Sequence, residues 1–139
     1  SNLMSTASKK PTIRYWIIAI LALLWNTLGV IAYLGQAYMT DETLAALPES
    51  NQLYYSNLPA WVTAAFAIAV FGGFLGSIGL LWRKKWAYFL FVLSFVAIVV
   101  QQIHSLFIQD YIEISGAQVV LPAITLAIAI YLVYFSKKI

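Results

Sequence analysis

Residues 59–108 read PAWVTAAFAIAVFGGFLGSIGLLWRKKWAYFLFVLSFVAIVVQQIHSLFI, two apolar runs on either side of the basic triplet Arg83-Lys84-Lys85. Each run exceeds the roughly 20 apolar residues that a helix needs to cross a bilayer core about 30 Å thick. The triplet is long enough only for a tight turn, so the two helices must be antiparallel neighbours. The stretch therefore predicts a transmembrane helical hairpin over 59–82 and 86–108.

Two further apolar runs flank this hairpin, at about 15–39 and about 117–135. All four runs are continuous rather than alternating, and none contains Asp, Glu, Lys or Arg, which favours helices over membrane strands. Pro122 lies near the start of the fourth run, where it is expected to kink the helix or loosen its first turn. We predict an all-α, integral membrane four-helix bundle formed by a single domain over 13–139.

The composition excludes several other classes of protein. Hydrophobic residues make up 63% of the 139 residues and charged residues 9%, against about 45–50% and about 25% in soluble domains. A soluble domain, a disordered chain and a nucleic-acid-binding module are thereby excluded. The chain has no Cys, hence no disulfide, thiolate metal site or Cys nucleophile. No catalytic or metal-binding motif is recognisable, so we expect neither an enzyme nor a cofactor.

The charged residues sort by side of the predicted bundle. The loop between the first and second spans, at 40–58, holds three of the acidic residues, and the loop at 109–116 holds the other two. Neither loop has a Lys or Arg. The positive-inside rule then places the basic side, with both termini, in the cytoplasm of a bacterial inner membrane. Residues 1–3 precede Met4 and are interpreted as a tag remnant, followed by a cytoplasmic tail over 4–12. The basic residues are Lys9, Lys10, Arg14, Arg83, Lys84, Lys85, Lys137 and Lys138.

The loop at 40–58, the outer loop in this orientation, is expected to carry a short helix. Thr40 is a suitable N-cap, and Asp41 and Glu42 in the first turn suit the helix dipole. Leu44 and Leu47 would share a face, which predicts an amphipathic helix lying on the outer membrane surface. It would serve either as an interfacial anchor or as a lid over an outward pocket.

Small residues form a stripe on the second span, including a literal GxxxG. Such residues let helix backbones approach closely where no aqueous hydrophobic effect drives association. The stripe is expected to pack either against another helix of the same chain or against a second copy. Its central members are Gly72, Gly73, Gly76 and Ser77.

Polar side chains inside the spans are the candidate functional residues, because polar groups in hydrocarbon are costly unless they are satisfied. Helical spacing places them on stripes of the first, third and fourth spans. Three interpretations stay open: hydrogen bonds that hold the helices together, an outward cavity for a small polar or amphipathic molecule, or a proton relay through the single histidine. The residues are Asn26 at the floor, then Tyr33, Gln36, Gln101, Gln102, His104 and Gln118.

Short segments spread over the whole chain resemble a group of small bacterial inner-membrane proteins with four predicted spans. Some members of that group carry the automatic label "sugar transporter". The resemblance implies a four-span fold and a sugar-sized ligand, and it brings no catalytic or binding residues. The segments are 14–16 (RYW), 24–26 (LWN), 29, 32–33 (AY), 36–40 (QAYMT), 59–61 (PAW), 65–67 (AFA), 70–73 (VFGG), 76 and 81–87 (LWRKKWA).

Two functions from different classes follow. The first is a membrane protein that binds a small polar or amphipathic molecule or a lipid, with transport as an extension that would require an oligomer. The second is an accessory subunit without a ligand, which docks a partner helix through the small-residue stripe. The expected partners are membrane lipids, a second copy of the chain and a small molecule, with no nucleic acid.

Overall fold

The computed structural model describes residues 10–139, so the predicted tag remnant (1–3) and most of the predicted tail (4–12) lie outside the described residues. The structure is about 80% helical, and the described part of the chain has no strand. The all-α prediction is therefore confirmed. In chain order the elements are α1 (Ile13–Ala37), α2 (Asp41–Ala45), α3 (Glu49–Ser56), α4 (Ala60–Leu81), α5 (Trp86–Ile103), a π-helical turn (His104–Ile108) and α6 (Gly116–Ser136).

Four helices are long and apolar enough to cross a membrane: α1, α4, α5 with its π-helical turn, and α6. Each begins and ends within two residues of a predicted span. Their apolar side chains also remain largely uncovered by the rest of the chain. In the most apolar 18-residue stretch, only 11% of the residues of α1 and 17% of those of α6 are buried. Long apolar helices with exposed apolar surface indicate a multi-pass membrane protein.

The ends of the short helices follow local rules. The Thr40 hydroxyl accepts a hydrogen bond from the Thr43 amide at 3.1 Å, so the predicted cap of α2 is confirmed. The sequence analysis did not predict α3, which begins directly after Pro48. Proline is compatible with this N-cap position, because the N–H that it lacks would have no partner within the helix.

A close hairpin joins α4 to α5. Arg83 has a φ of 54°, a left-handed conformation that glycine usually supplies at a helix C-terminus. The Arg83 amide donates to the Leu80 carbonyl at 3.0 Å and the Lys84 amide to the Gly79 carbonyl at 2.8 Å. These two bonds form a Schellman motif, which satisfies the last carbonyls of α4 and turns the chain back.

The small-residue stripe of α4 packs inside the chain. A Cβ added at Gly72 would lie 3.3 Å from the Leu90 carbonyl oxygen of α5, and one at Gly76 would lie 3.1 Å from the Phe91 ring. Gly73 and Ser77 face α1 instead, and all four residues are buried. The stripe is therefore occupied by two neighbouring helices and is not an exposed docking face.

The helices form an open series in which α1 packs on α4, α4 on α5, and α5 on α6. Near the basic end α1 and α6 also meet, and the rings of Tyr15 (α1) and Phe135 (α6) lie 5.3 Å apart. Ala19 and Leu132 belong to the same buried cluster at this end. Between the parts of α1 and α6 that lie farther from the basic end a space remains, and this space forms the candidate site.

Candidate functional site

The candidate site is a cavity of about 370 Å³ bounded by all four long helices. Its volume lies within the range of about 300–1,000 Å³ that is typical of small-molecule sites. It extends from the middle of α1 to the π-helical turn at the end of α5. The apolar lining residues are Trp25, Leu28, Gly29, Ala32, Phe66, Ala69, Val70, Ile98, Leu121 and Pro122, and the polar ones are Asn26, Gln101, Gln102, Ser105 and Thr125.

Asn26 is fixed at the inner end of the cavity by hydrogen bonds. Its Nδ2 donates to the Ala22 carbonyl at 2.9 Å and to the Ser77 Oγ at 3.2 Å. The Ser77 hydroxyl in turn donates to the Gly73 carbonyl at 2.8 Å. The position opposite must be glycine, because a Cβ at Gly73 would overlap the Asn26 amide. The amide is thus held in one orientation between α1 and α4.

The polar wall comes from α5 and its π-helical turn. The Gln102 Nε2 donates to the Pro122 carbonyl at 2.9 Å and thereby ties α5 to α6. The Thr125 hydroxyl is used within α6, where it donates to the Leu121 carbonyl at 2.9 Å. Gln101 is half-buried, and its side chain makes no hydrogen bond with any residue from 10 to 139. Its amide donors and acceptor are therefore unused within residues 10–139.

The cavity opens between α1 and α6, on the side of the bundle that faces the lipid. Leu28 of α1 and Leu121 of α6 both line it and are each 62% exposed. Within residues 10–139, α1 and α6 are not packed along their length as the other neighbouring helix pairs are. The edge of the cavity between α1 and α6 is therefore formed by exposed apolar side chains.

The single polar cluster expected from the stripes is divided in the structure. Asn26, Gln101 and Gln102 line the cavity, whereas Tyr33, Gln36, His104 and Gln118 do not. The reason is helix rotation: spans that are apolar almost all round give a weak periodicity, so the direction of a polar stripe is not fixed by the sequence. The four residues outside the cavity have other surroundings.

Tyr33 packs edge-on against the rings of Phe66 and Phe71, at 5.4 and 5.7 Å between centroids. Gln36 lines a separate hollow of about 300 Å³ beside α2 and α3. Gln118 forms a capping box with Ser115: its Oε1 accepts from the Ser115 amide at 3.1 Å, so its side chain serves the N-terminus of α6.

His104 is buried beneath the outer loop, at the start of the π-helical turn. Its ring lies edge-on to Trp61 at 5.5 Å and tilted to Tyr54 at 6.0 Å. Its Nδ1 is buried with no hydrogen-bond partner among residues 10–139. Burial raises the pKa of Tyr54 above its ordinary value, as does neighbouring Tyr55, while a hydrogen bond with Ser105 lowers it. This group joins α3 to the end of α5.

Several residues of the cavity were not among the predicted site residues. Ser105 and Thr125 lie on the polar stripes, so their spacing was the signal that could have included them. Trp25 follows an apolar run and precedes Asn26, and nothing in the sequence distinguishes it from an ordinary membrane tryptophan. Within the described residues, no group of three His, Asp or Glu side chains comes together as a metal site.

No family model, no curated protein and no solved structure matches the chain. The interpretation of the cavity therefore depends on its own residues.

Proposed function

We propose that this protein binds a small amphipathic molecule with a neutral polar group in the cavity between α1 and α6. The observation that carries the proposal is the free amide of Gln101 in a cavity that opens toward the lipid. Ten of the fifteen lining residues are apolar and none is charged. Such a lining suits an apolar chain, while the amides at Asn26, Gln101 and Gln102 suit a hydroxyl or carbonyl headgroup.

The same lining disfavours a bare ion and a free sugar. Ion sites use charged side chains or converging carbonyls, and no charged residue lines this cavity. A free sugar carries hydroxyls on every side, and most of them would meet apolar surface without a hydrogen bond. The proteins that the sequence resembles carry the label "sugar transporter". We therefore propose that the ligand of this cavity shares with a sugar a neutral headgroup that bears hydroxyls.

The orientation in the membrane is part of this proposal. The sorted charges support a bacterial inner-membrane protein with the basic end and both termini in the cytoplasm. The cavity then belongs to the outer half of the bilayer, and α2 and α3 lie at the outer surface. In α2 and just after it, Leu44 and Leu47 are half-buried against the rest of the chain while Asp41 and Glu42 are exposed, so the acidic residues of this segment face away from the bundle.

The alternative function, an accessory subunit that docks through the glycine stripe, is not favoured by any observation. Gly72, Gly73 and Gly76 are buried against α1 and α5. Opening that face to a partner would first require the bundle to separate.

Thermal unfolding of the protein in a zwitterionic detergent tests the proposal. The probes are monoolein, decylubiquinone and octyl glucoside, with free glucose as the polar control. A ligand that binds only the folded state stabilises it by roughly 2.7 kcal/mol at a hundredfold excess over its Kd. We expect a saturable rise in Tm with at least one amphipathic probe and none with glucose.

Matched substitutions decide where the probe binds. Gln101→Leu is expected to weaken binding about threefold to tenfold, because one hydrogen bond contributes about 0.5–1.5 kcal/mol. Gln36→Leu makes the same chemical change outside the cavity and is expected to leave binding unaltered. The proposal is wrong if the two variants weaken binding equally, if Gln101→Leu leaves binding unaltered, if glucose alone raises Tm, or if no amphipathic probe does.

A further inference from the structure

The basic end of the bundle carries a second recess, separate from the cavity described above. It has a volume of about 1,060 Å³ and is formed by three parts of the chain: the segment leading into α1, the α4–α5 turn and the C-terminal end of α6. Its cationic lining residues are Lys10, Arg14, Arg83, Lys85 and Lys138. Segments far apart in sequence thus bring five positive charges to one concave surface.

No acidic side chain lines this recess. All five acidic residues of the protein lie in the two loops at the opposite end: Asp41, Glu42, Glu49, Asp110 and Glu113. Positive side chains gathered with no acidic side chain among them repel one another, and an anion between them relieves that repulsion. The arrangement therefore favours a bound anion.

The rest of the lining is Pro11 and Thr12 before α1, together with aromatic residues of α1 and α6 and Ile139 after α6. Tyr15, Tyr131, Phe135 and Ile139 form the wall that leads away from the charges into the bundle. Lys138 Nζ lies 4.3 Å above the Tyr134 ring, which holds this cation at the rim. Since the recess lies at the ends of helices that are long enough to span a bilayer, it is at the level of lipid headgroups.

We propose that this recess binds the phosphate of an anionic phospholipid of the same leaflet, with the lipid chains lying along the seam between α1 and α6. Arginine binds phosphate with two parallel hydrogen bonds. Arg14 of α1 and Arg83 of the α4–α5 turn both line the recess. Basic pockets between transmembrane helices at the cytoplasmic side suit such headgroups. This site does not depend on the cavity at the other end.

Native mass spectrometry of the protein in a neutral detergent tests the site, with phosphatidylglycerol as the probe and phosphatidylcholine as the zwitterionic comparison. We expect one tightly bound phosphatidylglycerol per chain and much weaker binding of phosphatidylcholine. Arg14→Gln and Arg83→Gln are each expected to weaken phosphatidylglycerol binding about fivefold, because a cation near an anionic surface contributes about 1 kcal/mol.

Lys84→Gln and Lys137→Gln are the matched controls, because these lysines lie at the same end but do not line the recess. They remove the same charge and are expected to change binding less than twofold. Arg14→Lys keeps the charge and is expected to bind phosphatidylglycerol with intermediate affinity. We expect every lipid-free variant to have an unchanged Tm, which shows that the losses of binding do not come from misfolding.

Three results would overturn the proposal. Equal losses in recess and control variants would mean that general surface charge attracts the lipid. Equal binding of phosphatidylcholine would mean that the phosphate charge is not recognised in a basic site. Displacement of the lipid by inorganic phosphate in modest excess would mean that the recess is a site for a free anion.

Discussion

At the residue scale, the contact of Asn26 with Gly73 and Ser77 holds α1 on α4. Gly73→Ala would drive a methyl group into the Asn26 amide, whose hydrogen bonds to Ala22 and Ser77 fix its position. We expect a loss of about 1–3 kcal/mol, the usual cost of overpacking a core. Chemical or thermal unfolding in detergent measures this loss.

Gly35→Ala provides the control for that experiment. A Cβ at Gly35 meets nothing within 4 Å, so the substitution adds helix propensity without a clash. The expected effect is neutral or slightly stabilising. Equal destabilisation by the two alanines would contradict the close approach of α1 to α4 at Gly73.

The sequence predicted the small-residue stripe but not its partners. A GxxxG pattern indicates that a helix will pack closely, yet it does not say against which neighbour. Gly72 and Gly76 contact α5 whereas Gly73 and Ser77 contact α1. Asn26 was expected at the floor of a polar cluster, but in a helix that is apolar almost all round the direction of one amide is set by tertiary packing.

A second residue-scale prediction concerns Gln118, which caps α6 rather than lining the cavity. Gln118→Ala is expected to destabilise the protein by about 0.5–2 kcal/mol, through loss of a cap interaction. Amphipathic-probe binding at the cavity should be unchanged once both proteins are folded. If Gln118→Ala weakened probe binding and left Tm unchanged, Gln118 would contact the ligand, which would contradict its assignment as a capping residue.

At the element scale, the α4–α5 turn contains a strained residue. Arg83 has a positive φ at the position of a Schellman motif where glycine is preferred. Arg83→Gly is expected to raise Tm, because a non-glycine residue in this conformation costs about 1–3 kcal/mol. Arg83→Ala removes the same charge but keeps a Cβ, so it should not raise Tm. A higher Tm for both would assign the effect to charge instead.

The outer loop supplies a pH-dependent element. Burial raises the folded-state pKa of Tyr54, so its contribution to stability is complete below the ordinary tyrosine pKa and is lost as pH rises through the raised value. Above that pH, α3 is expected to separate from His104 and Trp61. Unfolding midpoints measured against pH should show an alkaline loss that Tyr54→Phe reduces and that exposed Tyr111→Phe does not. Identical profiles for all three proteins would contradict this.

Element boundaries show which signals are local. The Thr40 cap and the four spans were predictable, because helix capping and the length of an apolar run each depend on residues that are adjacent in the sequence. The π-helical turn was not: the Gln109 amide donates to the His104 carbonyl at 2.9 Å, one residue farther along than in an α-helix. The His104 amide still bonds to the Val100 carbonyl as in an α-helix, so the shift concerns only the residues that follow His104. Gln101 and Ser105, four residues apart, still line the same cavity.

At the scale of the whole molecule, charge and hydropathy describe an asymmetric bundle. One end gathers the cations around a recess, the other carries the acidic residues, and an uncharged cavity opens between α1 and α6. The fold class and the sorting of charge by end could be predicted, because the free energy of transfer from water to the membrane depends on the residues of each segment alone. The cavity depends on how four helices pack, and the sequence could supply only its polar members Asn26, Gln101 and Gln102.

The central claim is that the chain crosses the bilayer four times, with the basic end on the cytoplasmic side. Because the protein has no Cys, single-cysteine variants can be labelled without background. With a membrane-impermeant maleimide on intact spheroplasts, we predict that Glu42→Cys is labelled, that Lys137→Cys is labelled only after permeabilisation, and that mid-span Phe71→Cys is not labelled in either case. Labelling of Glu42→Cys and Lys137→Cys from the same side of the membrane would contradict the account.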